Sequence, residues 1–340
     1  RVRVASAAQV PAPRLSELAA SAIVEQRWVP VERVGVYVPG GKAIYPSSVV
    51  MNVVPAQVAG VKNIAIATPP QKNGRPHPTV LATAGLLGIE NVFCMGGAAA
   101  VAAFAYGINE IDLKPVSLVT GPGNIYVAAA KRALRGVIGI DAEAGTTEIL
   151  VLADDSANAR LIAFDLVSQA EHDEAAASVL VTYSAELANA VNNEIASIAS
   201  ATEHADRVAK ALTGQQSAIV LVDDLAAAID FANHYATEHL ELHTSSNEKA
   251  LLQISNAGAV FMGEYSPVSL GDYLAGSSHV LPTGGQAKFG SGLGVHSFLR
   301  AQQVIDYDKT GLQAVAGQIA TFADAEGLPA HGEAVQARFK

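Results

Sequence analysis

From Val34 onward, short β-branched runs alternate with alanine-rich stretches of helical composition, and this rhythm constrains the fold more than any other feature. The runs 34–38, 63–68, 91–95 and 117–120 each precede a helix-like segment, the pattern of βαβ units and hence of a parallel sheet between helices. A second series begins at 148–153 and continues through 178–182, 217–222, 239–243 and 259–263. The expected fold class is therefore α/β: two Rossmann-like, incomplete doubly wound parallel-sheet domains plus a small helical C-terminal tail. The Gly/Thr-rich loop 140–148 marks the junction. Domain expectations are a shortened N-terminal segment 1–36 joining the second domain, a first α/β domain 37–144, a second 145–290, and a helical tail 291–340 in which 297–325 reads as helix. Residues 265–294 are rich in Gly, Ser and Pro and long for a loop inside a compact domain, which marks a functional segment.

Half of the 340 residues are hydrophobic, enough for two buried cores and incompatible with disorder. Thirty-two acidic against 22 basic residues leave a net charge of −10, so there is no basic field to neutralise phosphates and nucleic acid is a poor partner. The single cysteine, Cys94, rules out a disulfide framework, fits a reducing cytoplasm, and leaves any metal site to nitrogen and oxygen ligands. No apolar run has signal-peptide or membrane-spanning length, so a cytoplasmic protein without membrane association is expected.

Three glycine turns, Val38-Pro-Gly-Gly41, Met95-Gly-Gly97 and Thr120-Gly-Pro-Gly-Asn124, follow expected strands and precede helices. That edge of an open α/β sheet is where ligands bind, and a helix N-terminus behind a glycine turn favours phosphate. A dinucleotide fits there, although any βα turn can use glycine and the G-x-G-x-x-G fingerprint is absent. In Asp165-Leu-Val-Ser-Gln-Ala-Glu-His-Asp173, Gln169 and His172 are spaced i, i+3 on one helix face and could reach one cation. A histidine near a helix C-terminus is also favourable without any ligand. Glu238 and His239 stand side by side where a helix hands over to a strand, two proton-transfer groups at a sheet edge, or an ordinary solvated turn. Asp272 and His279 occupy the glycine-flanked loop, and His331 lies near the end of the chain. The remaining histidines, His77, His204, His234, His243 and His296, read as structural or surface residues.

At these positions the chain resembles histidinol dehydrogenases, over about residues 31–339. The resemblance rests on Gly121-Pro-Gly-Asn124 with Lys131-Arg132, Ser168-Gln-Ala-Glu-His-Asp173, Ala236-Thr-Glu-His-Leu-Glu241, Gly271-Asp-Tyr273 with His279-Val-Leu-Pro-Thr283, and Pro329-Ala-His331. It implies one zinc per subunit held by Gln169, His172, Asp272 and His331, and a catalytic pair in which His239 is the general base and Glu238 activates water. Substrate contacts implied in the same way are Thr147, Gln169, His172, His239, Asp272, His279, Glu326 and His331. NAD contacts are Tyr37, Pro39 and Asn124. The implied activity is the NAD-linked oxidation of L-histidinol through the aldehyde to L-histidine, the last step of histidine biosynthesis, in a homodimer whose tails complete each other's sites.

Three departures accompany the resemblance. Thr147 stands where most members have serine, keeping the hydroxyl. Ala99 replaces a glutamine and loses an amide contact to NAD. Residues 1–30 stand where the family has a considerably longer helical segment, so they are either a shortened replacement or part of a longer chain. An inactive zinc- or nucleotide-binding homologue and a zinc hydrolase using Glu238 are the competing readings.

Overall fold

The computed structural model describes residues 1–40, 43–143 and 145–340; Gly41 of the first glycine turn and Ala144 at the expected domain boundary lie outside them. Two compact units are present: Val10–Pro30 with Leu299–Lys340, and Arg1–Gln9 with Val31–Phe298.

The smaller unit is built on β1 (Arg14–Ala19), β2 (Ala22–Pro30) and β13 (Leu299–Tyr307), an antiparallel sheet in the order β1-β2-β13. Ser21, at φ 64°, closes the β1–β2 hairpin. Helices Lys309–Ala325 and Pro329–Gln336 follow, the first capped by Asp308, whose carboxylate accepts the Gly311 N–H at 2.8 Å. Here the structure corrects the sequence reading: 299–307, expected as the start of a helix, is a strand. It pairs with β2 along its whole length, from Leu299 opposite Pro30 to Tyr307 opposite Ala22. Tertiary pairing with a segment almost 300 positions earlier in the chain outweighs local propensity.

In the larger unit the first sheet comprises β3 (Arg33–Tyr37), β4 (Asn63–Thr68), β5 (Val92–Cys94), β6 (Leu118–Thr120) and β7 (Gly139–Ile140), all parallel, in the order β5-β4-β3-β6-β7. The second comprises β8 (Glu148–Ala153), β9 (Ala177–Thr182), β10 (Ala218–Leu221), β11 (His239–His243) and β12 (Ala259–Met262), also parallel, in the order β10-β9-β8-β11-β12. Both sheets thus place their first strand centrally and add neighbours outward on either side, the doubly wound plan expected from the βαβ rhythm. Period-two alternation divides the core of the second sheet. Ile149, Val151 and Ala153 of β8 pack with Ile162, Leu166 and Ala170 of helix Ala159–Ala170, while Leu150 and Leu152 pack with Ala228, Ile229 and Ala232 of helix Leu225–Tyr235.

At the switch point of the first sheet, between β3 and β6, Gly121 sits at φ 109°, and a Cβ there would lie 2.0 Å from the Tyr37 carbonyl oxygen. A buried ion pair holds its peptide groups from both sides. Lys131 Nζ donates to Gly121 O at 2.9 Å, Asp141 Oδ2 accepts the Gly121 N–H at 2.8 Å, and Lys131 and Asp141 pair with each other, both side chains no more than 3% exposed. Removing one partner of such a pair leaves an uncompensated buried charge. Lys131→Met is expected to lower the unfolding free energy by about 3–5 kcal/mol in a denaturant titration; a loss below about 1 kcal/mol would mean that the pair is not needed to hold the turn.

Candidate active site

Helix Leu225–Tyr235 ends at Ala236, whose left-handed conformation (φ 53°) turns the chain so that Glu238 precedes and His239 opens β11. β11 lies beside β8, with His239 opposite Ile149, which puts the pair against Thr147 and Glu148 at the amino edge of the sheet. Neither side chain is solvated: Glu238 is 7% and His239 4% exposed. The close approach of the next strand requires Gly258, where a Cβ would meet the Glu238 carbonyl oxygen at 2.5 Å.

A desolvated carboxylate needs donors, and Glu238 Oε2 accepts the Thr147 hydroxyl at 2.5 Å and the Glu148 N–H at 3.0 Å. Thr147 Oγ1 in turn accepts from Gln169 Nε2 at 2.6 Å. With the hydroxyl proton committed to Glu238, only the NH2 side of the Gln169 amide can face Thr147, which directs Gln169 Oε1 elsewhere. That oxygen is buried and has no hydrogen-bond partner among the described residues. His239 Nδ1 lies 3.0 Å from the Glu148 carbonyl oxygen, which can only accept, so the proton is on Nδ1 and Nε2 carries the free lone pair. Burial pushes the Glu238 carboxyl above its ordinary range, opposed by His239, the Thr147 hydroxyl, the Glu148 N–H and His172. Burial also raises Glu148, to about 7, against the Gly284 N–H and with the Glu238 charge. Its Oε1 accepts both that N–H, at 3.0 Å, and the Glu238 N–H, at 3.2 Å.

Helix Ala159–Ala170 starts from an Asn158 cap and carries Gln169 in its last turn, with His172 just beyond its end. His172 Nε2 lies 3.8 Å from Asp272 Oδ2, on helix Val268–Tyr273. His279 Nδ1 donates to the Asp272 carbonyl at 3.0 Å, leaving Nε2 free, and burial lowers the His279 pKa. One connected set thus contains Thr147, Gln169, Glu238 and His239, with His172, Asp272 and His279 beside it. The orphaned Gln169 oxygen, an imidazole and a carboxylate fit a zinc ion, which accepts this N/O set. Glu326 and His331 belong to the smaller unit, Glu326 at the end of helix Lys309–Ala325 and His331 within helix Pro329–Gln336.

The three expected cofactor residues lie at the carboxyl edge of the first sheet. The buried Tyr37 hydroxyl accepts the Gly97 N–H at 3.1 Å, Pro39 is half-buried, and Asn124 caps helix Ile125–Leu134 by accepting from Tyr126 and Val127. Thr120, next to the Gly121 turn, has a buried hydroxyl oxygen with no partner among the described residues. Glycine turns, a helix N-terminus and an unsatisfied hydroxyl at a switch point fit a dinucleotide phosphate. Sequence reasoning missed Glu148, and it missed the cluster Asp165, Glu241 and His243, whose ligand atoms all lie within 4.8 Å of one another. The signal for part of it was present: His239, Glu241 and His243 alternate along one strand and so share a face.

Two doubly wound parallel sheets with candidate site groups at their edges place the chain in the α/β class. The sequence profile of histidinol dehydrogenases matches residues 1–339. The chain is 62% identical to the histidinol dehydrogenase of Leifsonia xyli subsp. xyli, covering all of this chain and 78% of that one, and 56% identical to that of Mycolicibacterium smegmatis with the same coverage. The crystal structure of the enzyme from Elizabethkingia anophelis superposes with a TM-score of 0.95 at 35% identity, over 99% of this chain and 77% of that one. The chain belongs to the histidinol dehydrogenase family. A putative aldehyde dehydrogenase from Anabaena variabilis, with a TM-score of 0.56 at 15% identity over 90% of this chain and 79% of that one, shares the fold alone.

The raised Glu148 pKa has a pH signature. Between its ordinary 4.5 and about 7 the folded state holds a proton that the unfolded state has released, so stability falls as pH rises through that window. Glu148→Gln, which keeps the accepting oxygen without the charge, is expected to gain thermal stability relative to the parent as pH is raised from 5 to 8. Parallel Tm profiles for the two proteins would contradict the shift.

Proposed function

We propose that the chain is a zinc-dependent, NAD-linked histidinol dehydrogenase that oxidises L-histidinol through L-histidinaldehyde to L-histidine. Family membership supports the substrate, and the observation that carries the chemistry is the pairing of a buried carboxyl with an imidazole whose Nε2 is left free. His239 Nε2 takes the proton of the substrate hydroxyl as hydride leaves the carbinol carbon. Its Nδ1–H stays fixed on the Glu148 carbonyl, which keeps the base in one tautomer throughout. Glu238, made a stronger base by burial, takes a proton from water as that water adds to the aldehyde carbon. The hydrate then loses its second hydride, and His239 again takes the hydroxyl proton. One water is consumed, and two hydrides and three protons are released per carboxylate formed.

Gln169, His172, Asp272 and His331 would hold zinc, which when bound anchors the imidazole and amino nitrogens of the substrate. Tyr37, Pro39 and Asn124 would line the site of NAD, the acceptor of each hydride. Thr147 and His279 orient the substrate, the first through its bonds to Gln169 and Glu238. His331 and Glu326 reach the site across a homodimer, each protomer's tail serving its partner. In support, the smaller unit leaves Leu15, Leu18, Ile305 and Phe322 between 63% and 70% exposed, individual apolar side chains that a partner subunit would cover.

The test is NADH formation from histidinol and NAD by the chain as it stands. Two NADH per histidinol, lost on chelation and restored by zinc, is the expected result; a folded, zinc-loaded protein that forms none would overturn the proposal. In a stopped-flow comparison, Glu238→Gln should slow the aldehyde-to-acid half by about 10²–10⁴-fold, the usual worth of a positioned base, while leaving the first hydride transfer within about tenfold. Equal loss of both halves would remove Glu238 from the water-activating role.

A further inference from the structure

β11 is unusual for a strand inside a sheet covered by helices on both faces, where a continuous apolar run is the rule. Its even-numbered residues obey: Leu240 and Leu242 pack toward helix Leu225–Tyr235. Its odd-numbered residues, His239, Glu241 and His243, all point to the other face, where the surroundings are Ile149, Val151, Ile162 and Leu166. Glu241 has no solvent exposure at all and His243 is 7% exposed. A carboxylate in that position is costly unless every lone pair is engaged.

Its partners are on the elements that carry the other site residues. Glu241 Oε1 accepts the N–H of Val268 at 3.0 Å, and Val268 opens the helix that bears Asp272. Glu241 Oε2 lies 3.2 Å from His243 Nε2. The same carboxyl group hydrogen-bonds Asp165, one helical turn before Gln169 on helix Ala159–Ala170. From one buried group, bonds therefore reach the segment holding Gln169 and the segment holding Asp272, while Glu241 itself sits two residues from His239.

The geometry points to a positioning latch. We propose that Asp165, Glu241 and His243 form a metal-free buried hydrogen-bond cluster that fixes Gln169, Asp272 and His239 relative to one another, and so sets zinc affinity and turnover from a distance. This rests on the ligand assignment proposed above. Two carboxyls and an imidazole this close are also spaced for a cation of their own. Against that, Asp165, Glu241 and His243 leave no buried polar side-chain atom without a partner, whereas Gln169 Oε1 has none among the described residues. Burial, with the Glu241 charge next, raises Asp165 to about 8, so the two carboxyls are held together by a shared proton.

The shared proton makes the test specific. In Asp165→Asn, an amide N–H can donate where the protonated carboxyl did; in Asp165→Ala nothing can. Zinc affinity by chelator competition and NADH turnover over a range of histidinol concentrations are measured on the full chain. Asp165→Ala should weaken zinc binding by about 10–100-fold, the usual cost of losing a partner behind a ligand, and should lower kcat more than it raises KM. Asp165→Asn should restore both to within about threefold of the parent. If Asp165→Ala does not fold, Asp165→Ser replaces it, since its hydroxyl is too short to reach Glu241. A folded Asp165→Ala with parental zinc affinity and kcat would overturn the latch. So would a second zinc equivalent in the parent that both Asp165→Asn and Asp165→Ala lose, because the cluster would then be a cation site. A parent that binds zinc with the same affinity after His172→Ala would fault the ligand assignment instead.

Discussion

A carboxylate with 7% exposure at the head of β11 imposes more on its surroundings than any other group in the larger unit. Glu238 has left water, so its oxygens must be met by protein donors, and those available are the Thr147 hydroxyl and the Glu148 N–H. Once the Thr147 hydroxyl donates to Glu238, its oxygen can only accept from Gln169, and that choice turns the Gln169 carbonyl away with no partner among the described residues. The buried acid proposed to activate water and the oxygen free to meet a cation are thus two ends of one chain of hydrogen bonds. Thr147 fills this role with the hydroxyl it shares with serine, so its extra methyl leaves the donor and acceptor pattern intact.

Both parallel sheets have the same strand order, yet their candidate site residues lie at opposite edges. Crossover helices run antiparallel to the strands, so the carboxyl edge of a sheet meets helix N-termini and the amino edge meets helix C-termini. The first carry partial positive charge and suit phosphate; the second carry partial negative charge and suit a cation. The first sheet places its glycine turns and the helix Ile125–Leu134 N-terminus at the carboxyl edge. The second brings the C-terminal end of helix Ala159–Ala170, with Gln169 and His172, to the amino edge beside Glu238 and His239. One topology used twice supplies both electrostatic environments that an NAD-linked, zinc-dependent oxidation would need.

How much of this could be read from the sequence follows from the range of each interaction. Strands such as Asn63–Thr68 and Glu148–Ala153 match the sequence reading because burial on both faces writes itself as a local apolar run. The pairing of β13 with β2 was illegible, since what makes 299–307 a strand is a partner at 22–30. Glu238 and His239 were visible as adjacent residues of the right chemistry at a helix-to-strand turn. Their partners were visible only as residue types, because nothing local says that Thr147, 91 positions away, meets Glu238. His243 read as a surface or structural residue for the same reason: its period-two relation to Glu241 is local, but the burial of that face is a property of helix Ala159–Ala170 packing over it.

Glu148, Glu238 and Asp165 are each raised above the ordinary carboxylate range, and in each case burial is the first cause. Desolvating three acids in one region opposes folding, so the region persists only because the surroundings are over-determined. Those surroundings are the two apolar cores on either side of the second sheet, where Ile149, Leu150, Ile162, Leu166, Leu180 and Leu240 are no more than 1% exposed. Fully burying a side chain of that size contributes roughly 1.5–3 kcal/mol. A handful of such contacts offsets the cost of holding the acids away from water. The same burial is what raises all three carboxyls, so the apolar core and the shifted acidity are consequences of one packing arrangement.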